Sequence, residues 1–399
     1  MQHARATLHH DHLPGPPADA GFAYGRRVPH LYEAAFHEEY VARLMAINRV
    51  ERDDLARQVE RWLEGLPANF QLEIDGIAAG ARVPVLRAAE FLYADIARPT
   101  RAGEDAPEGV TAGRARAVSP ATDGPASADA PAEPPHAGPM CSGVITRLAG
   151  ERGPSTWAAR NCDWLPATLT RGTAAVTHAV PGRIPVAAVG IRGDIDVDTG
   201  INAERLWLHL HTLLAMDDPP RDRTCISWLF WAREALERCA TLDELERFIE
   251  STGRDRGVIA IAVDGKSGAG AIFECSKSAH RRHDFDPASP TPLFATNHTQ
   301  DKAIDAAREA KSRPGSTVAR FCVLRRTLAE HPPEHGPDDL IELLAEPGIE
   351  MRLPPVLRTI YAAVCDTARD ELWFASGDPA GAPAASTGRW QRVRLPWGR

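Results

Sequence analysis

Several features are missing from this sequence of 399 residues, and each absence excludes a class of protein. It has no run of about 18 apolar residues, so we expect no membrane-spanning helix. Acidic residues outnumber basic ones, 54 against 46, and the resulting net charge of −8 argues against a nucleic-acid-binding protein, which needs a basic face. The first 30 residues lack the apolar stretch of a secretory signal peptide. We therefore predict a cytoplasmic protein that has neither a membrane nor a nucleic-acid partner.

The seven cysteines are odd in number and include no Cys-x-x-Cys pair. A disulfide framework is therefore not expected, and a reducing compartment fits the pattern better. Six of the cysteines are interpreted as small core residues. They are Cys162, Cys225, Cys239, Cys275, Cys322 and Cys365.

Composition and periodicity divide the chain into three parts. Residues 1–97 are predicted to form an N-terminal helical segment. Residues 98–140 are rich in Pro, Ala, Gly and Asp and predict a disordered linker, because such a segment cannot offset its ordering entropy. In residues 141–399 predicted strands outnumber helices, so the sequence predicts an α+β fold with a break at the linker.

The individual elements follow from apolar periodicity and from Gly, Pro and Asp turns. Helices are predicted at 34–50, 54–65, 84–96, 225–239, 242–251, 302–311, 316–331 and 338–346. Strands are predicted at 142–148, 155–160, 174–180, 185–191, 206–211, 258–263, 271–274, 359–365 and 371–375.

Cys141 stands at the end of the linker and at the start of a predicted strand, which is an unusual place for a core residue. Cleavage between Met140 and Cys141 would give a new terminus that carries both a thiol and a free α-amine. An α-amine has an ordinary pKa of about 7.7–8, so it can act as general base for its own side chain. The position predicts a nucleophile that activates itself after self-cleavage.

Three further polar residues could serve this nucleophile. Arg160 and Asp163 end the next predicted strand, where Arg160 could stabilise a thiolate or bind a substrate carboxylate, and Asp163 could orient the thiol or the α-amine. A surface ion pair is the alternative. Asn297 follows an apolar stretch, and its amide could donate to an oxyanion during acyl transfer. A turn-capping Asn is the alternative there.

The histidines and tryptophans allow other readings. His209 and His211 lie on one predicted strand face and could hold a metal ion with a carboxylate, or could be packed or exposed histidines. The stretch from His9 to His12 could also bind a metal, although a flexible tail is the default. Four aromatic residues predict core packing or an apolar acyl pocket. They are Trp207, Trp228, Phe230 and Trp231.

A series of motifs resembles the peptidase C45 family, the acyl-coenzyme A:6-aminopenicillanate acyltransferase-like N-terminal nucleophile (Ntn) hydrolases. Bile-salt hydrolases and acid ceramidase are more distant relatives of that family. The matching stretches lie between about residue 21 and residue 380 and keep the order of the family. They are Glu73–Gly80, Cys141-Ser142, Arg160–Trp164, Gly200–Asn202 with Leu206, Ala271–Glu274, Thr296–His298, Ser316 with Arg320, and Ile360–Gly377.

The resemblance implies an αββα sandwich of the Ntn-hydrolase type and a precursor that cleaves itself between Met140 and Cys141. It implies that Cys141 is the nucleophile and its own base, that Asp163 and Arg160 orient it, and that Asn297 supplies the oxyanion hole. Substrate-binding roles are implied for a further set, His211, Asn202 and Arg320. His211 stands where the family usually has Asn, which suggests an imidazole N–H in place of an amide donor.

The function expected from the resemblance is an acyl-enzyme at Cys141, followed by hydrolysis of an amide or transfer of the acyl group to an amine. The substrate would be a small-molecule amide or acyl thioester, with no cofactor and no metal. After cleavage the N-terminal chain would stay bound as a partner, and a homo-oligomer is compatible with this reading. Two alternatives stay open: an unprocessed, non-catalytic binding protein of the same fold, and a metal-dependent hydrolase.

Overall fold

The computed structural model describes ten parts of the chain, and all structural statements below concern them. They are residues 9–94, 97, 140–150, 152–164, 173–213, 226–276, 279–300, 315–353, 357–377 and 385–397. The predicted linker lies outside the described residues except for Met140, and so does the predicted helix at 302–311.

The described helices are numbered in chain order. They are α1 (Pro17–Arg27), α2 (Ala34–Asn48), α3 (Arg52–Gly65), α4 (Ala68–Ala81), α5 (Val85–Tyr93), α6 (Trp228–Arg238), α7 (Leu242–Ser251), α8 (Thr317–Glu330) and α9 (Pro337–Ala345). A short 3₁₀ helix, Pro29–Tyr32, follows α1.

The described strands are numbered in the same way. They are β1 (His9–Pro14), β2 (Met140–Leu148), β3 (Ser155–Trp164), β4 (Thr173–Ala179), β5 (Val186–Ile191), β6 (Thr199–Asn202), β7 (Leu206–Thr212), β8 (Val258–Asp264), β9 (Gly270–Cys275), β10 (His280–Phe285), β11 (Leu293–Ala295), β12 (Arg352–Leu353), β13 (Leu357–Asp366), β14 (Glu371–Ser376) and β15 (Trp390–Val393).

The strands form two sheets. Sheet A has the order β1-β4-β5-β6-β7-β8-β9-β10, and sheet B has the order β11-β2-β3-β13-β14-β15, with β12 paired to β13. Neighbouring strands are antiparallel except for β1 and β4, which are parallel. The long strands β3, β7 and β8 are buried along their whole length, because both faces of each sheet are covered.

The two sheets face each other between two layers of helices. β2 and β3 of sheet B contact β7 and β8 of sheet A. Helices α6 and α7 pack on the outer face of sheet A, and α8 and α9 pack on the outer face of sheet B. The predicted α+β class and αββα sandwich are therefore confirmed.

Most predicted elements in the described residues are present, with ends that differ by a few residues. The prediction of a flexible tail at His9–His12 is wrong, because residues 9–14 form β1 and pair in parallel with β4. Helices α1 and α4 were not predicted, since their glycines lower the intrinsic helix propensity.

Glycines allow α1 and α4 to pack with their backbones in contact. A Cβ added at Gly21 would lie 2.1 Å from the carbonyl oxygen of Glu73, and one added at Gly76 would lie 2.2 Å from that of Ala18. Gly25 and Gly80 show the same close approach one turn further along each helix. Small residues at a four-residue spacing therefore fix the distance between these two helices.

A buried ion pair joins the N-terminal helices to the sandwich. Glu73 of α4 lies 2.8 Å from Nη2 of Arg233 in α6, and Arg233 also donates to Glu237 at 2.8 Å. Burial alone would raise the pKa of Glu73, but the charge of Arg233 holds that pKa below its ordinary value. Removal of either partner would leave an uncompensated buried charge.

The helix contact can be tested with Gly76→Ala. Alanine normally favours a helix over glycine by about 1 kcal/mol. Here its methyl group would meet backbone atoms of Ala18 and Phe22 at 2.2 and 2.8 Å. We therefore expect a loss of about 1–3 kcal/mol in the free energy of unfolding, measured by denaturant titration. Gly190→Ala is the matched control, because its methyl group would meet nothing within 4 Å. Equal stability of the Gly76→Ala variant and the parent would contradict the close packing.

Candidate active site

The pairing of β2 with β3 places two cysteines opposite each other. Cys141 is the second residue of β2 and pairs with Cys162 of β3. Alternate residues of a strand point to opposite faces, so Cys141 and Gly143 face sheet A, together with Arg160 and Cys162. Cys141 is buried, with 1% of its surface exposed.

Arg160 contacts the sulfur of Cys141. Its Nη2 lies 2.9 Å from Sγ. Its Nη1 donates to the Oδ2 and the backbone oxygen of Asp198, at 2.8 and 2.9 Å, and to Oγ1 of Thr199 at 2.7 Å. The guanidinium also lies over the ring of Tyr361, whose hydroxyl donates to Asp198 Oδ2 at 2.7 Å. The sulfur of Cys141 therefore faces a fixed, buried guanidinium group that can donate a hydrogen bond to it.

A second set of contacts holds the backbone of Cys141. Its N–H donates to Oδ1 of Asn297 at 2.8 Å, and its carbonyl oxygen accepts from Nη1 of Arg320. Arg320 also donates to Oγ of Ser142 at 2.9 Å and to Asn297 Oδ1 at 2.7 Å. The structure thus brings Asn297 and Arg320, from a loop and from α8, to the predicted nucleophile.

Asn297 makes contacts that differ from those of an oxyanion donor. Its Oδ1 accepts from two donors, and its Nδ2 donates to the backbone oxygen of Thr212 at 2.8 Å. These partners fix the orientation of the amide, because the oxygen faces only donors and the nitrogen faces an acceptor. The geometry therefore makes Asn297 the acceptor that positions the nitrogen of Cys141, in place of the predicted donor.

Asp163 lies on the opposite face of β3 from Arg160. Residues three apart in a regular strand point to opposite sides, so the expectation that both would face Cys141 is corrected. Oδ1 of Asp163 accepts from Oγ1 of Thr359 at 2.6 Å, and Oδ2 lies 3.9 Å from Nη1 of Arg320. Burial raises the pKa of Asp163 to about 6, and the charge of Arg320 limits that rise. Among the described contacts, Asp163 reaches Cys141 only through Arg320.

His209 and His211 share one face of β7, as predicted, and this is the inner face, where both are fully buried. Nδ1 of His211 lies 2.8 Å from the carbonyl oxygen of Thr296, which can only accept, so this nitrogen carries the proton. Burial lowers the pKa of His211 well below its ordinary value, so the ring is neutral and Nε2 is an acceptor. We expected His211 to donate an imidazole N–H where the family has an Asn amide. The free nitrogen, Nε2, is an acceptor, so that expectation is wrong for Nε2.

Asn202 is not part of this site. It lies on the helix-covered face of sheet A, where its Nδ2 donates to the carbonyl oxygens of Leu236 and Cys239 at 2.8 and 2.7 Å. Its Oδ1 accepts from the N–H groups of Glu204 and Leu206 at 3.1 and 2.9 Å. The amide of Asn202 links the turn between β6 and β7 to α6. Both of its polar atoms are engaged in these contacts, so the predicted substrate-binding role of Asn202 is wrong.

A cleft that opens to solvent adjoins the site. Its walls are mainly small and apolar residues of β4 and β5, with the aromatic rings of Trp164, Trp228 and Tyr361. Cys162 and Asp198 line it as well, so it reaches the groups that contact Cys141 and Arg160. Of the four aromatic residues predicted to form the core or an acyl pocket, Trp228 lines the cleft. The other three lie in the core: Trp207, Phe230 and Trp231.

Sequence reasoning missed Asp198, Tyr361 and the role of Cys162. Asp198 ends the alternating stretch Asp194-Ile195-Asp196-Val197-Asp198, in which both apolar residues are buried and all three acidic residues line the cleft. That alternation was the available signal. Cys162 was interpreted as a core residue, yet its sulfur lies 3.6 Å from Oδ2 of Asp198, and burial raises the pKa of its thiol well above the ordinary value.

The described residues offer neither a metal site nor a membrane-spanning helix. None of their groups of three or more His, Cys, Asp and Glu side chains has the arrangement to hold a metal ion. No helix among them combines the length and the apolar character needed to cross a membrane.

The raised pKa of Asp163 predicts a pH dependence of stability. Because the folded state holds this proton more tightly than the unfolded chain, unfolding becomes easier as the pH rises from about 4 to about 6. A rise from 3.8 to about 6 corresponds to about 3 kcal/mol. We expect the parent to lose about that much free energy of unfolding between pH 4 and pH 7 relative to Asp163→Asn. Denaturant titrations at both values measure the difference.

The exposed Asp286→Asn variant controls for the substitution itself. A difference between the parent and Asp163→Asn that stays constant from pH 4 to pH 7 would show that the carboxyl group titrates normally.

The two roles considered for Asn297 predict different results for Asn297→Ala. If its oxygen positions Cys141, alkylation of the thiol by iodoacetamide and acyl turnover should fall together, by about 10²-fold for a misplaced reacting group. Loss of turnover with unchanged alkylation would instead restore the oxyanion role.

The chain was also compared with known proteins. No protein-family model and no curated protein matches it. A solved structure of an N-acylethanolamine-hydrolyzing acid amidase ortholog from Caenorhabditis elegans is similar with a TM-score of 0.44 and 15% identity, over 64% of this chain and 100% of the other. Penicillin V acylase from Agrobacterium tumefaciens gives 0.42 and 16%, over 59% and 82%. A mutant conjugated bile acid hydrolase from Clostridium perfringens gives 0.38 and 9%, over 64% and 98%. Likenesses at this level assign no activity to the present chain.

Proposed function

We propose that this protein is a self-processing cysteine enzyme of the Ntn type, resembling the peptidase C45 family. It forms an acyl-enzyme at Cys141 and cleaves a C–N amide bond. The acyl group then passes to water or to an amine. The mature protein consists of residues 1–140, held as a partner chain, and residues 141–399, which carry the chemistry.

The observation that carries this proposal is that the sulfur, nitrogen and carbonyl oxygen of Cys141 each have a dedicated partner. Arg160 contacts the sulfur, Asn297 accepts from the nitrogen and Arg320 donates to the carbonyl oxygen. A buried cysteine that serves only as core packing needs none of these charged neighbours. The arrangement matches the needs of a nucleophile whose own nitrogen is its base.

Processing would begin at the peptide bond before Cys141. Sγ attacks the carbonyl carbon of Met140, and the acyl group moves from the nitrogen to the sulfur. Water then cleaves the thioester and leaves a free α-amine on Cys141. Oδ1 of Asn297, which accepts from the peptide N–H in the uncut chain, can accept from the α-amine afterwards.

Catalysis by the mature chain would use the same atoms. The α-amine takes the thiol proton, Sγ attacks the substrate carbonyl and the tetrahedral intermediate collapses. The C–N bond breaks, the amine leaves with a proton and a thioester stays on Cys141. Arg160 stabilises charge on the sulfur before attack and when the acyl group leaves.

The cleft supports a substrate with an apolar acyl group. Its walls are mainly small, aliphatic and aromatic residues, beside the carboxylates of Asp194, Asp196 and Asp198. Cys162, which pairs with Cys141 in the sheet, lines it as well. A reducing cytoplasmic location is part of the proposal, because the site needs a free thiol, and the six described cysteines are all free.

Self-cleavage can be tested by intact mass and denaturing electrophoresis of purified protein. We expect two fragments that correspond to residues 1–140 and 141–399, because the proposed acyl shift is intramolecular. Cys141→Ala should remain a single chain. Cys275→Ala, which changes a buried cysteine of β9, is the control and should be cut as usual.

A parent protein that stays full-length after long incubation at neutral pH would contradict the proposal. Together with an unreactive Cys141, that result would favour the non-catalytic binding protein. Cleavage that continued in Cys141→Ala would indicate an external protease.

A further inference from the structure

Two buried histidine nitrogens near Cys141 have no hydrogen-bond partner within the described part of the chain. His209 and His211 are fully buried neighbours on β7, with ring centroids 5.2 Å apart. Nε2 of each ring has no partner there. Buried polar atoms without partners are rare in native proteins, and each one needs an explanation.

The two rings carry their protons on different nitrogens. Trp207 donates its indole N–H to Nδ1 of His209 at 2.8 Å, so the neutral His209 ring has its proton on Nε2. His211 has its proton on Nδ1, which faces the carbonyl oxygen of Thr296. Burial lowers the pKa of both histidines well below the ordinary value, so both rings are neutral. Nε2 of His209 is therefore a donor, and Nε2 of His211 is an acceptor.

Both nitrogens lie close to Gly143 of the facing sheet. A Cβ built on Gly143 would lie 2.5 Å from Nε2 of His209 and 3.0 Å from Nε2 of His211. The two nitrogens are thus separated by at most the sum of these distances. A water molecule with hydrogen bonds of about 2.8 Å to each nitrogen can bridge such a gap. It would accept from His209 and donate to His211.

This place adjoins the nucleophile. Gly143 and Cys141 share one face of β2 and are two residues apart, which is about 7 Å along a strand. Arg160, which contacts Sγ, is also close enough to both histidines to lower the pKa of each. The sulfur and the two histidines therefore face the same space between the two sheets.

We propose that His209 and His211 bind the water that hydrolyses the acyl-enzyme, with His211 as its general base. This inference rests on the proposed acyl-enzyme at Cys141. Nε2 of His211 takes one proton from the water while the water oxygen forms a bond to the acyl carbon. The C–S bond then breaks, and its electron pair stays on the sulfur beside Arg160. The proton passes from Nε2 to the sulfur and the carboxylic acid leaves. The protein is accordingly a hydrolase, and transfer to an amine is the minor path.

The experiment uses the full, processed protein with p-nitrophenyl acetate as the probe. Acylation of Cys141 releases a burst of one p-nitrophenolate per site, and the slower steady rate reports hydrolysis of the thioester. In His211→Gln we expect an unchanged burst and a steady rate lower by about 10²–10⁴-fold, the range for loss of a general base. Added hydroxylamine attacks as a neutral nucleophile and should restore turnover. His37→Gln, a buried histidine of the N-terminal helices, is the matched control.

The outcomes separate the two proposals. A parent protein with no burst and no acyl mass on Cys141 would overturn the acyl-enzyme itself. A normal burst with an unchanged steady rate in His211→Gln would overturn only the role of His211.

A His211→Gln protein without a burst would point to a folding defect. The Gly143→Ala variant then tests whether the histidines bind the hydrolytic water. Its methyl group would lie 2.5 and 3.0 Å from the two Nε2 atoms, so the rings would have to shift and could no longer hold a water molecule between them. A slower steady rate after a full burst supports the bound water, and an unchanged steady rate rejects it.

Discussion

The hydrogen-bond register between β2 and β3 determines what surrounds Cys141. The pleat sends the sulfur of Cys141 towards sheet A, where it meets Arg160, and sends Ser142 towards α8, where it meets Arg320. Two separate networks result. The inner one controls charge on the sulfur, and the outer one holds the backbone. A shift of the register by one residue would exchange the faces and destroy both.

The elements that carry a strong period were predictable, and those held by distant partners were not. β7 alternates so strictly that the common face of its two histidines was evident from the sequence. β1 contains three histidines, and its pairing partner β4 lies more than 150 residues further along the chain. α1 and α4 pack at a distance that only glycine permits. Glycine lowers the helix propensity of each segment, yet it allows the contact between the two helices, so local propensity did not predict them.

The membership of the site was more predictable than the roles within it. Arg160, Asn297 and Arg320 do meet Cys141, because short motifs identify residues. Which face Asp163 occupies depends on strand parity over three positions. Which end of the Asn297 amide faces Cys141 depends on Arg320 and Thr212. Roles of this kind follow from the direction of hydrogen bonds, which no residue type specifies alone.

The entry of β1 into sheet A and the Glu73–Arg233 ion pair make the first part of the chain integral to the core. Cleavage before Cys141 would turn these intramolecular contacts into contacts between two chains. Unfolding of the mature protein would then be a dissociation as well, so its midpoint would rise with protein concentration. Refolding would need two fragments to find each other without the effective concentration that a linker supplies. The mature enzyme would depend on slow unfolding for its lifetime, since only the uncut precursor folds in a unimolecular reaction.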